Sequence, residues 1–300
     1  MRVVVSGSRG LIGSALVPAL ERGGHAVIRM VRPPGAAGPG KVLWDPAAGW
    51  VDLDSLEGTD GFVHLSGESI LGRWTAEKKR RLRDSRVGST SLLAESLATL
   101  KRGPRVLVCA SASGFYGSRG DEPLREDSAR GTGFLADLCL EWEEAAASAA
   151  HTGIRVVHVR TGLVLAPDGG LLGPMLLPFQ LGLGGRIGDG RAWWSWIAID
   201  DLVEVYRFAL EHETVRGAVN AVAPAPVTNA EFARTLGKVL GRPAALPVPP
   251  FALRMIFGSE AAQEAMLTSA KLTPARLQQA GFAFRFAELE PALRHVLGKS

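Results

Sequence analysis

Three glycines near the start of the chain are spaced as a phosphate-binding turn requires. Gly7, Gly10 and Gly13 follow a β-branched run at residues 3–5 and precede an apolar pattern typical of a helix. The first glycine permits a sharp turn, the second lets the backbone approach a pyrophosphate, and the third lets the helix pack against the strand. Any tight strand-to-helix turn can use such glycines, but the order strand, turn, helix favours a dinucleotide. The predicted contacts are Gly7, Arg9, Gly10, Leu11, Ile12 and Gly13.

Two arginines close to this turn indicate which dinucleotide it binds. A second strand is predicted at residues 26–32, and in dinucleotide folds the end of that strand holds the adenosine ribose. The chain has Arg32 there and Arg9 inside the glycine turn, whereas residues 26–40 contain no carboxylate. A guanidinium pairs strongly with a 2′-phosphate, so NADP(H) is favoured over NAD as the cofactor. The alternative is that two surface arginines fall there without a ligand.

A third predicted strand, at residues 61–65, ends in residues that belong beside the same ligand, because ligands bind at the carboxyl ends of strands in doubly wound folds. The residues expected along the cofactor are Leu65, Ser66, Gly67 and Glu68. Glu68 either hydrogen-bonds a ribose or caps the next helix. His64 lies between apolar neighbours, which favours a buried, hydrogen-bonded histidine over a catalytic one. A helix predicted at residues 76–100 carries Arg86, which either faces the cofactor or lies on the surface.

A fourth strand, predicted at residues 105–110, opens into three hydroxyl-bearing residues: Ser111, Ser113 and Tyr116. We expect Ser111 and Tyr116 to contact the cofactor, and Tyr116 and Ser113 are the candidate proton donors. For Tyr116, stacking near the nicotinamide without chemistry is favoured over proton transfer, because no lysine lies nearby to tune its pKa.

Strands and helices alternate along the first half of the chain. The other predicted segments are helices at residues 11–22 and 134–150, a strand at 154–160, and loops at 33–40 and 161–170. This spacing predicts an α/β fold, a doubly wound parallel sheet of the Rossmann type. We expect an NADP(H)-binding domain at residues 1–165. A smaller substrate-side region with a helical tail is expected at residues 166–300, interleaved with the first domain.

The second half of the chain has its own local signals. Glycines at residues 182–190 precede a tryptophan-rich stretch at residues 193–196, which either lines a substrate cleft or packs as core. Residues 197–201 predict a strand that runs into a helix with a carboxylate N-cap. Thr228 and Glu231 predict a helix that begins with a capping box.

The composition narrows the classes of protein. The chain has 300 residues, of which 46% are hydrophobic and 21% charged, and its net charge is +4. No lysine-arginine run is dense enough to indicate nucleic-acid binding, and no apolar run reaches the length of a membrane span. The chain opens directly on a core strand, so we expect no signal peptide and a cytoplasmic protein. Cys109 and Cys139 lie in apolar patterns as reduced core residues do.

Several motifs together resemble one known family. The glycine spacing, the Tyr116–Gly117 pair after a strand and residues 196–203 resemble extended short-chain dehydrogenase/reductases of the NAD-dependent epimerase/dehydratase group. An atypical branch, usually labelled only "epimerase family protein", is resembled at residues 64–68, 73–74, 85–86 and 281–284. The resemblance covers essentially the whole chain. It implies NADP(H) binding through the glycine turn, Arg32, Leu65, Ser66 and Arg86.

The catalytic residues of that family are missing from this sequence. Its enzymes use a Ser or Thr, a Tyr and a Lys, the last two as Tyr-x-x-x-Lys, in which the lysine lowers the pKa of the proton-donating tyrosine. Four residues after the two tyrosines lie Gly120 and Leu210, and no lysine occurs between residues 101 and 238. Phe134 stands where the resemblance places the tyrosine, and Ala112 stands where it places the hydroxyl.

Two hypotheses of different classes follow. In the first, the chain is an NADP(H)-binding oxidoreductase or epimerase-like enzyme that acts on an unidentified small substrate. Its non-standard proton donor is Tyr116, Ser113, Glu68 or an ordered water, and a cavity lined by Trp194, Trp196 and Tyr116 should reach the nicotinamide. In the second, the chain is a catalytically silent NADP(H)-binding sensor or partner-binding module, and side chains fill that space.

A third hypothesis is a nucleotide-sugar-binding protein, which requires a second phosphate site. Arg186 and Arg191 are the candidates, although surface arginines on a glycine loop are the plainer account. We expect no metal ion, no nucleic acid and no membrane partner. The chain is expected to be a monomer, or a homodimer through the helices predicted at residues 76–100 and 134–150.

Overall fold

The structure is a computed structural model that describes residues 1–34, 38–170 and 172–299. Part of the loop predicted at residues 33–40, namely Gly35, Ala36 and Ala37, lies outside the described residues, as do Leu171 and Ser300. Within the described residues, no helix combines the length and the apolar character needed to cross a membrane.

The strands are β1 (Arg2–Ser6), β2 (Ala26–Val31), β3 (Lys41–Asp45), β4 (Trp50–Val51), β5 (Gly61–His64), β6 (Val106–Ala112), β7 (Pro123–Leu124), β8 (Arg155–Thr161), β9 (Leu163–Ala166), β10 (Gly169–Gly170), β11 (Trp193–Trp194), β12 (Trp196–Ala198), β13 (Gly217–Ala221), β14 (Val227–Thr228) and β15 (Lys271–Leu272). The helices are α1 (Leu11–Arg22), α2 (Ala76–Arg83), α3 (Ser89–Ala98), α4 (Phe134–Glu144), α5 (Ala147–His151), α6 (Leu172–Gln180), α7 (Ile199–Glu211), α8 (Asn229–Leu240), α9 (Pro250–Phe257), α10 (Ser259–Ala265), α11 (Ala275–Gln279) and α12 (Leu289–Val296).

The main sheet has the strand order β13-β8-β6-β5-β1-β2-β3-β4. Its strands pair in parallel except for β3 and β4, which are antiparallel. The predicted α/β, doubly wound, Rossmann-type fold is therefore confirmed. Because β1 lies between β2 and β5, the carboxyl ends of these three strands meet at one edge, with Ser6 beside both Met30 and His64.

Helices cover both faces of this sheet. The side chains of β1 alternate, so Val3 and Val5 pack on the face that α1 and α7 cover, whereas Val4 packs on the face of α3 and α5. All three valines are fully buried. Burial on both faces explains why β1 is a continuous apolar run rather than an alternating one.

The second half of the chain builds a smaller layer around a core of its own. β9 pairs in parallel with β12 and antiparallel with β10, and β11 pairs with β14. Trp194, Trp196 and Phe232 pack there with residues of α6, α8 and α12. β13 returns to the main sheet, and β15 pairs with β7.

Some local predictions are corrected. The loop predicted at residues 161–170 contains β9 and β10, because β9 finds a partner in β12, which lies more than thirty residues further along the chain. The helix predicted at residues 76–100 is interrupted by a turn of π-helix at Asp84–Gly88. The helix predicted at residues 134–150 is divided into α4 and α5.

The two predicted helix caps have opposite outcomes. Thr228 and Glu231 form the predicted capping box at the start of α8. The carboxylate cap of α7 is wrong, because its N-cap is Ala198 and no side chain caps it. The buried carboxylate of Asp201 instead accepts the backbone N–H groups of Arg285 (2.9 Å) and Phe286 (3.0 Å), which tie the C-terminal segment to α7.

Candidate functional site

The three glycines form a compact turn between β1 and α1, here called the glycine turn (residues 7–13). Gly7 has φ +66°, and a Cβ on it would lie 2.8 Å from the backbone carbonyl carbon of Leu65. A Cβ on Gly13 would lie 2.3 Å from the Gly7 oxygen. Gly10 donates its N–H to that same oxygen at 2.9 Å. Main-chain packing therefore requires glycine at positions 7 and 13.

The glycine turn leaves the start of α1 open to an anion. Gly10 is the N-cap, no side chain caps the helix, and no acidic residue lies in its first turn. The first N–H groups of a helix have no intrahelical partner and carry the positive end of its dipole. A Cβ on Gly10 would meet only the Gly7 oxygen, at 3.3 Å, so the rest of that surface is open to a ligand. Such a helix start binds phosphate.

Two exposed cations flank the glycine turn. Arg9 lies within it, and Arg32 directly follows β2 at the same edge of the sheet. Neither has an ion-pair partner among the described residues, whereas the nearby Arg29 pairs with Glu21 at 2.9 Å. An anionic ligand at the glycine turn would therefore meet two guanidinium groups that no carboxylate of the described residues neutralises.

A third cation, Arg86, is presented by the π-helical turn between α2 and α3. Its half-buried guanidinium lies against Gly67, with Cζ 3.4 Å from where a Cβ would stand, and 5.2 Å from the Trp142 ring. Its one hydrogen bond among the described residues is a long one to Ser85 Oγ, at 3.5 Å. Burial lowers the pKa of Arg86, and no carboxylate pairs with it in the described chain. A largely desolvated cation of this kind is a candidate anion contact.

The end of β5 is held to β1 by His64. Its Nδ1 lies 2.7 Å from Ser6 Oγ, its Nε2 lies 3.3 Å from Ser89 Oγ, and Ser6 Oγ also accepts the N–H of Leu65 at 3.2 Å. Burial lowers the pKa of His64 to about 4, so the ring is neutral at pH 7. The prediction of a buried, hydrogen-bonded histidine is confirmed. The ring fixes the strand end that leads into half-buried Ser66 and exposed Gly67.

Of the two alternatives predicted for Glu68, the helix cap is wrong. Its carboxylate accepts hydrogen bonds from Lys78 (2.6 Å) and Arg81 (3.2 Å), and the hydrogen bond from Lys78 lowers its pKa. The cap of α2 is Thr75, whose Oγ1 accepts the N–H of Lys78. The carboxylate of Glu68 is thus paired with α2, and its contact with a ribose stays a prediction.

Tyr116 is buried and does not fit a cofactor contact or a proton donor. Its hydroxyl donates to Asn220 Oδ1 at 2.7 Å and accepts from Arg160 Nη1 at 2.9 Å. Burial raises the pKa of Tyr116, and the nearby charge of Arg160 only partly offsets this rise. A proton-donating tyrosine needs a lowered pKa and access to the substrate. Both predictions for Tyr116 are therefore corrected.

Arg160 belongs to a buried network that the sequence reasoning missed. It donates to both carboxylate oxygens of Glu143, each at 2.8 Å, and Ser111 donates to the same carboxylate at 2.7 Å. Burial alone would raise the pKa of Glu143, but Arg160 lowers it below its usual value. The Ser111 hydroxyl thus donates its hydrogen bond to this network, and a contact between Ser111 and the cofactor stays a prediction. The only sequence signal was an arginine within the apolar strand β8.

Of the two predicted proton donors, Tyr116 and Ser113, only Ser113 has a hydroxyl that no other described residue binds. It opens a short 3₁₀ turn, Ser113–Tyr116, directly after β6, and it is half-buried. Its hydroxyl has no hydrogen-bond partner among the described residues. Ser113 is therefore free to bind a ligand, whereas the hydroxyls of Ser111 and Tyr116 form hydrogen bonds within the protein.

The position at which the resemblance expects a tyrosine is filled by Phe134. Its ring packs against Trp74, with Lys79 Nζ 4.9 Å from the ring centroid. The start of α4 is held by Glu264 of α10, whose carboxylate accepts the N–H groups of Phe134 (3.0 Å) and Leu135 (2.8 Å). A carboxylate stabilises a helix start, so the C-terminal segment fixes this helix. No local signal predicts a cap 130 residues away.

The predicted aromatic cavity is formed only in part. Trp194 lines a cavity of about 270 Å³ between the glycine-rich loop, α8 and the C-terminal segment. Trp196 and Tyr116 are fully buried in the core, and Trp196 donates its indole N–H to the Ala225 carbonyl. Arg186 and Arg191 are exposed and do not line this cavity, so they do not form the predicted second phosphate site there. Among the described residues, no cluster of His, Cys, Asp or Glu could hold a metal ion.

The fold and the glycine turn define a Rossmann-type protein of the dinucleotide-binding class. The model of the NAD dependent epimerase/dehydratase family matches residues 3–221, and a domain of unknown function (DUF1731) matches residues 248–296. The chain belongs to the NAD-dependent epimerase/dehydratase family.

Relatives match over nearly the full length. The epimerase family protein Mb2239 of Mycobacterium bovis is 42% identical, over 98% of this chain and 97% of its own. The human epimerase family protein SDR39U1 is 39% identical, over 99% of this chain and 100% of its own. A crystal structure of the human protein (isoform 2) with NADPH superposes with a TM-score of 0.89 at 37% identity, covering 99% of both chains.

Proposed function

We propose that this protein binds NADP(H) at the carboxyl ends of β1, β2 and β5. The observation that carries the proposal is the uncapped start of α1 beside Arg9 and Arg32, which have no ion-pair partner among the described residues. The human relative crystallised with NADPH supports the same cofactor.

The residues present fit each part of that cofactor. The N–H groups of the glycine turn, from Gly10 to Gly13, suit the pyrophosphate. The guanidinium groups of Arg9 and Arg32 suit the 2′-phosphate, which distinguishes NADP(H) from NAD(H). Arg86, Leu65 and Ser66 lie along the adjacent strand end, and Gly67 leaves Arg86 room to reach the ligand.

We further propose that the protein is an oxidoreductase or epimerase-like enzyme for an unidentified small substrate. When bound, the nicotinamide supplies hydride chemistry, and the chain must supply a proton. Ser113 is the donor with an uncommitted hydroxyl, either directly or through an ordered water. The alternative, a catalytically silent NADP(H)-binding sensor, is favoured by the engaged hydroxyl of Tyr116 and by Phe134 at the family's tyrosine position.

The cofactor proposal is tested by calorimetric titration of NADPH and NADH into the wild type and Arg32→Ala. Loss of one guanidinium–phosphate pair should weaken NADPH binding about tenfold and leave NADH binding nearly unchanged. Arg22→Ala is the matched control, because Arg22 is an exposed arginine at the opposite end of α1. Equal losses for both cofactors, or no loss for either, would contradict the role of Arg32.

Catalysis is tested by following NADPH oxidation with a panel of carbonyl compounds. Turnover that Ser113→Ala removes, with NADPH affinity retained, would support Ser113 as the proton donor. Tight NADPH binding without turnover on any compound would shift the proposal to the silent sensor.

A further inference from the structure

The C-terminal segment (residues 248–296), which the model of a domain of unknown function matches, forms one wall of the 270 Å³ cavity. Its α9 and α10 contribute Arg254 and Gln263, and Met266 and Leu267 follow α10. The opposite wall comes from the glycine-rich loop, Trp194 and the start of α8. The cavity therefore exists only where this segment meets the rest of the chain.

Asn229, which lines the cavity, carries a hydrogen-bond donor with no partner among the described residues. Asn229 is 1% exposed, and its Oδ1 accepts the N–H of Ile187 at 2.6 Å. That bond fixes the orientation of the side-chain amide, since an NH₂ group cannot accept from an N–H. Nδ2 is buried and has no hydrogen-bond partner among the described residues. An unpaired buried donor is unfavourable, so an acceptor from outside the described chain, either a ligand or a water, would stabilise it.

The opposite wall carries a cation that no carboxylate neutralises in the described chain. Arg254 is exposed, and its hydrogen bond to Gln263 Oε1, at 3.3 Å, is to a neutral amide. Asp189 also lines the cavity; its carboxyl group accepts the backbone N–H of Arg191 at 3.0 Å and forms no ion pair with Arg254 among the described residues. Arg254 and the unpaired NH₂ group of Asn229 are thus two donors suited to one acidic group.

The rest of the lining is mainly apolar, and the volume limits what can enter. Trp194, Met266 and Leu267 offer an aromatic ring, a thioether and a branched chain. Pockets for drug-sized ligands have roughly 300–1,000 Å³, so a cavity of about 270 Å³ is too small for a nucleotide sugar.

We propose that this cavity binds a small carboxylate with an apolar body. The carboxylate accepts hydrogen bonds from Arg254 and from Nδ2 of Asn229, and the apolar body packs on Trp194, Met266 and Leu267. The C-terminal segment thereby contributes the cation that selects an acid. None of the residues predicted to bind the cofactor lines this cavity, so its ligand can be tested with and without NADPH.

The test is a titration of hexanoate into the full chain, with and without saturating NADPH. Binding is monitored through the NMR signals of the Trp194 indole and the Asn229 side-chain amide. Hexanoate should shift both signals, whereas hexylamine and UDP-glucose should not. Arg254→Gln should weaken hexanoate binding about tenfold, as expected for the loss of one charged hydrogen bond. Asn229→Asp keeps the acceptor for Ile187 but places a negative charge beside the ligand, so binding should be lost.

The matched control is Arg242→Gln, since Arg242 is an exposed arginine that does not line the cavity. It should leave hexanoate binding unchanged. Absence of hexanoate binding to the wild type, or equal binding to all variants, overturns the proposal, as does binding of UDP-glucose in place of hexanoate. If Asn229→Asp fails to fold, Arg254→Gln still tests the proposal, because residue 254 is exposed. NADPH affinity, measured on the same samples, reports separately on the cofactor site.

Discussion

Two regions at the carboxyl ends of the same sheet differ in whether their polar groups have partners within the described chain. At the glycine turn, the start of α1 has no side-chain cap, and Arg9 and Arg32 have no carboxylate partner among the described residues. In the buried network (Ser111, Tyr116, Glu143, Arg160 and Asn220), the polar side chains satisfy one another. Unpaired donors indicate a place for a ligand, whereas mutually paired groups indicate structure.

The two regions also differ in how far water solvates their charged groups. An exposed arginine without an ion-pair partner costs little free energy, because water solvates its charge. Arg160 and Glu143 have side chains only 6% and 12% exposed, and a charge so removed from water is tolerated only when it is paired. The residues of the buried network therefore contribute to stability. The glycine turn retains features that only a ligand would use.

Removal of Glu143 is the most severe test of this contrast. Glu143→Leu leaves the Arg160 guanidinium buried without its carboxylate, so the free energy of unfolding should fall by about 3–5 kcal/mol. Urea denaturation measures this loss. Tyr116→Phe is the milder companion: it removes only the hydroxyl and should destabilise the protein by about 1 kcal/mol without changing NADPH affinity. A large loss of NADPH affinity in Tyr116→Phe would instead return Tyr116 to the cofactor site.

Within the glycine turn, two glycines should respond differently. In Gly13→Ala the new Cβ would stand 2.3 Å from the Gly7 oxygen, and main-chain atoms cannot rotate away, so we expect a loss of about 3 kcal/mol of unfolding free energy. In Gly10→Ala the nearest atom is 3.3 Å away and φ is −77°, which alanine adopts readily. Its stability should change by less than about 1 kcal/mol, while NADPH affinity falls because the methyl group enters the phosphate space.

Thermal or urea unfolding and NADPH titration of both glycine variants separate the two effects. Equal destabilisation of Gly10→Ala and Gly13→Ala would mean that the turn is built for packing alone. Unchanged NADPH affinity in Gly10→Ala would move the phosphate away from this surface.

A further expected effect, smaller than those of Glu143→Leu and Gly13→Ala, is a pH dependence at His64, which joins β5 to β1. Burial lowers its pKa from 6.5, the ordinary value for histidine, to about 4, so at pH values between these two the unfolded chain binds a proton that the folded chain does not. Stability contributed by neutral His64 is present above pH 6.5 and is lost as the pH falls toward 4. Between pH 7.5 and pH 5 the loss should be about 2 kcal/mol.

The control for this pH dependence is His64→Gln, which does not titrate. His158, whose pKa burial also lowers, titrates in both proteins, so the difference between their urea curves isolates His64. If wild type and His64→Gln lose the same stability between the two pH values, His64 is not held neutral by burial.

Features that depend on neighbouring residues could be read from the sequence. The glycine turn follows from spacing and from the positive φ that Gly7 requires, and the parallel sheet follows from alternating apolar strands and helices. The capping box at Thr228 was also local, since its partner Glu231 lies three residues away. Buried His64 was predicted from its apolar neighbours. Each of these rests on backbone geometry or periodicity within one element.

The roles of Tyr116, Glu68 and Ser111 could not be read in the same way. The partners of Tyr116 are 44 and 104 residues away, and those of Ser111 and Phe134 are 32 and 130 residues away. Which distant segments pack around a polar group determines whether it forms hydrogen bonds within the protein or is available to a ligand. The sequence by itself therefore determined the sheet and the glycine turn, because φ preferences and apolar periodicity act locally. Only the tertiary structure decided which hydroxyls, carboxylates and guanidinium groups remain unpaired, because burial pairs groups that the chain holds far apart.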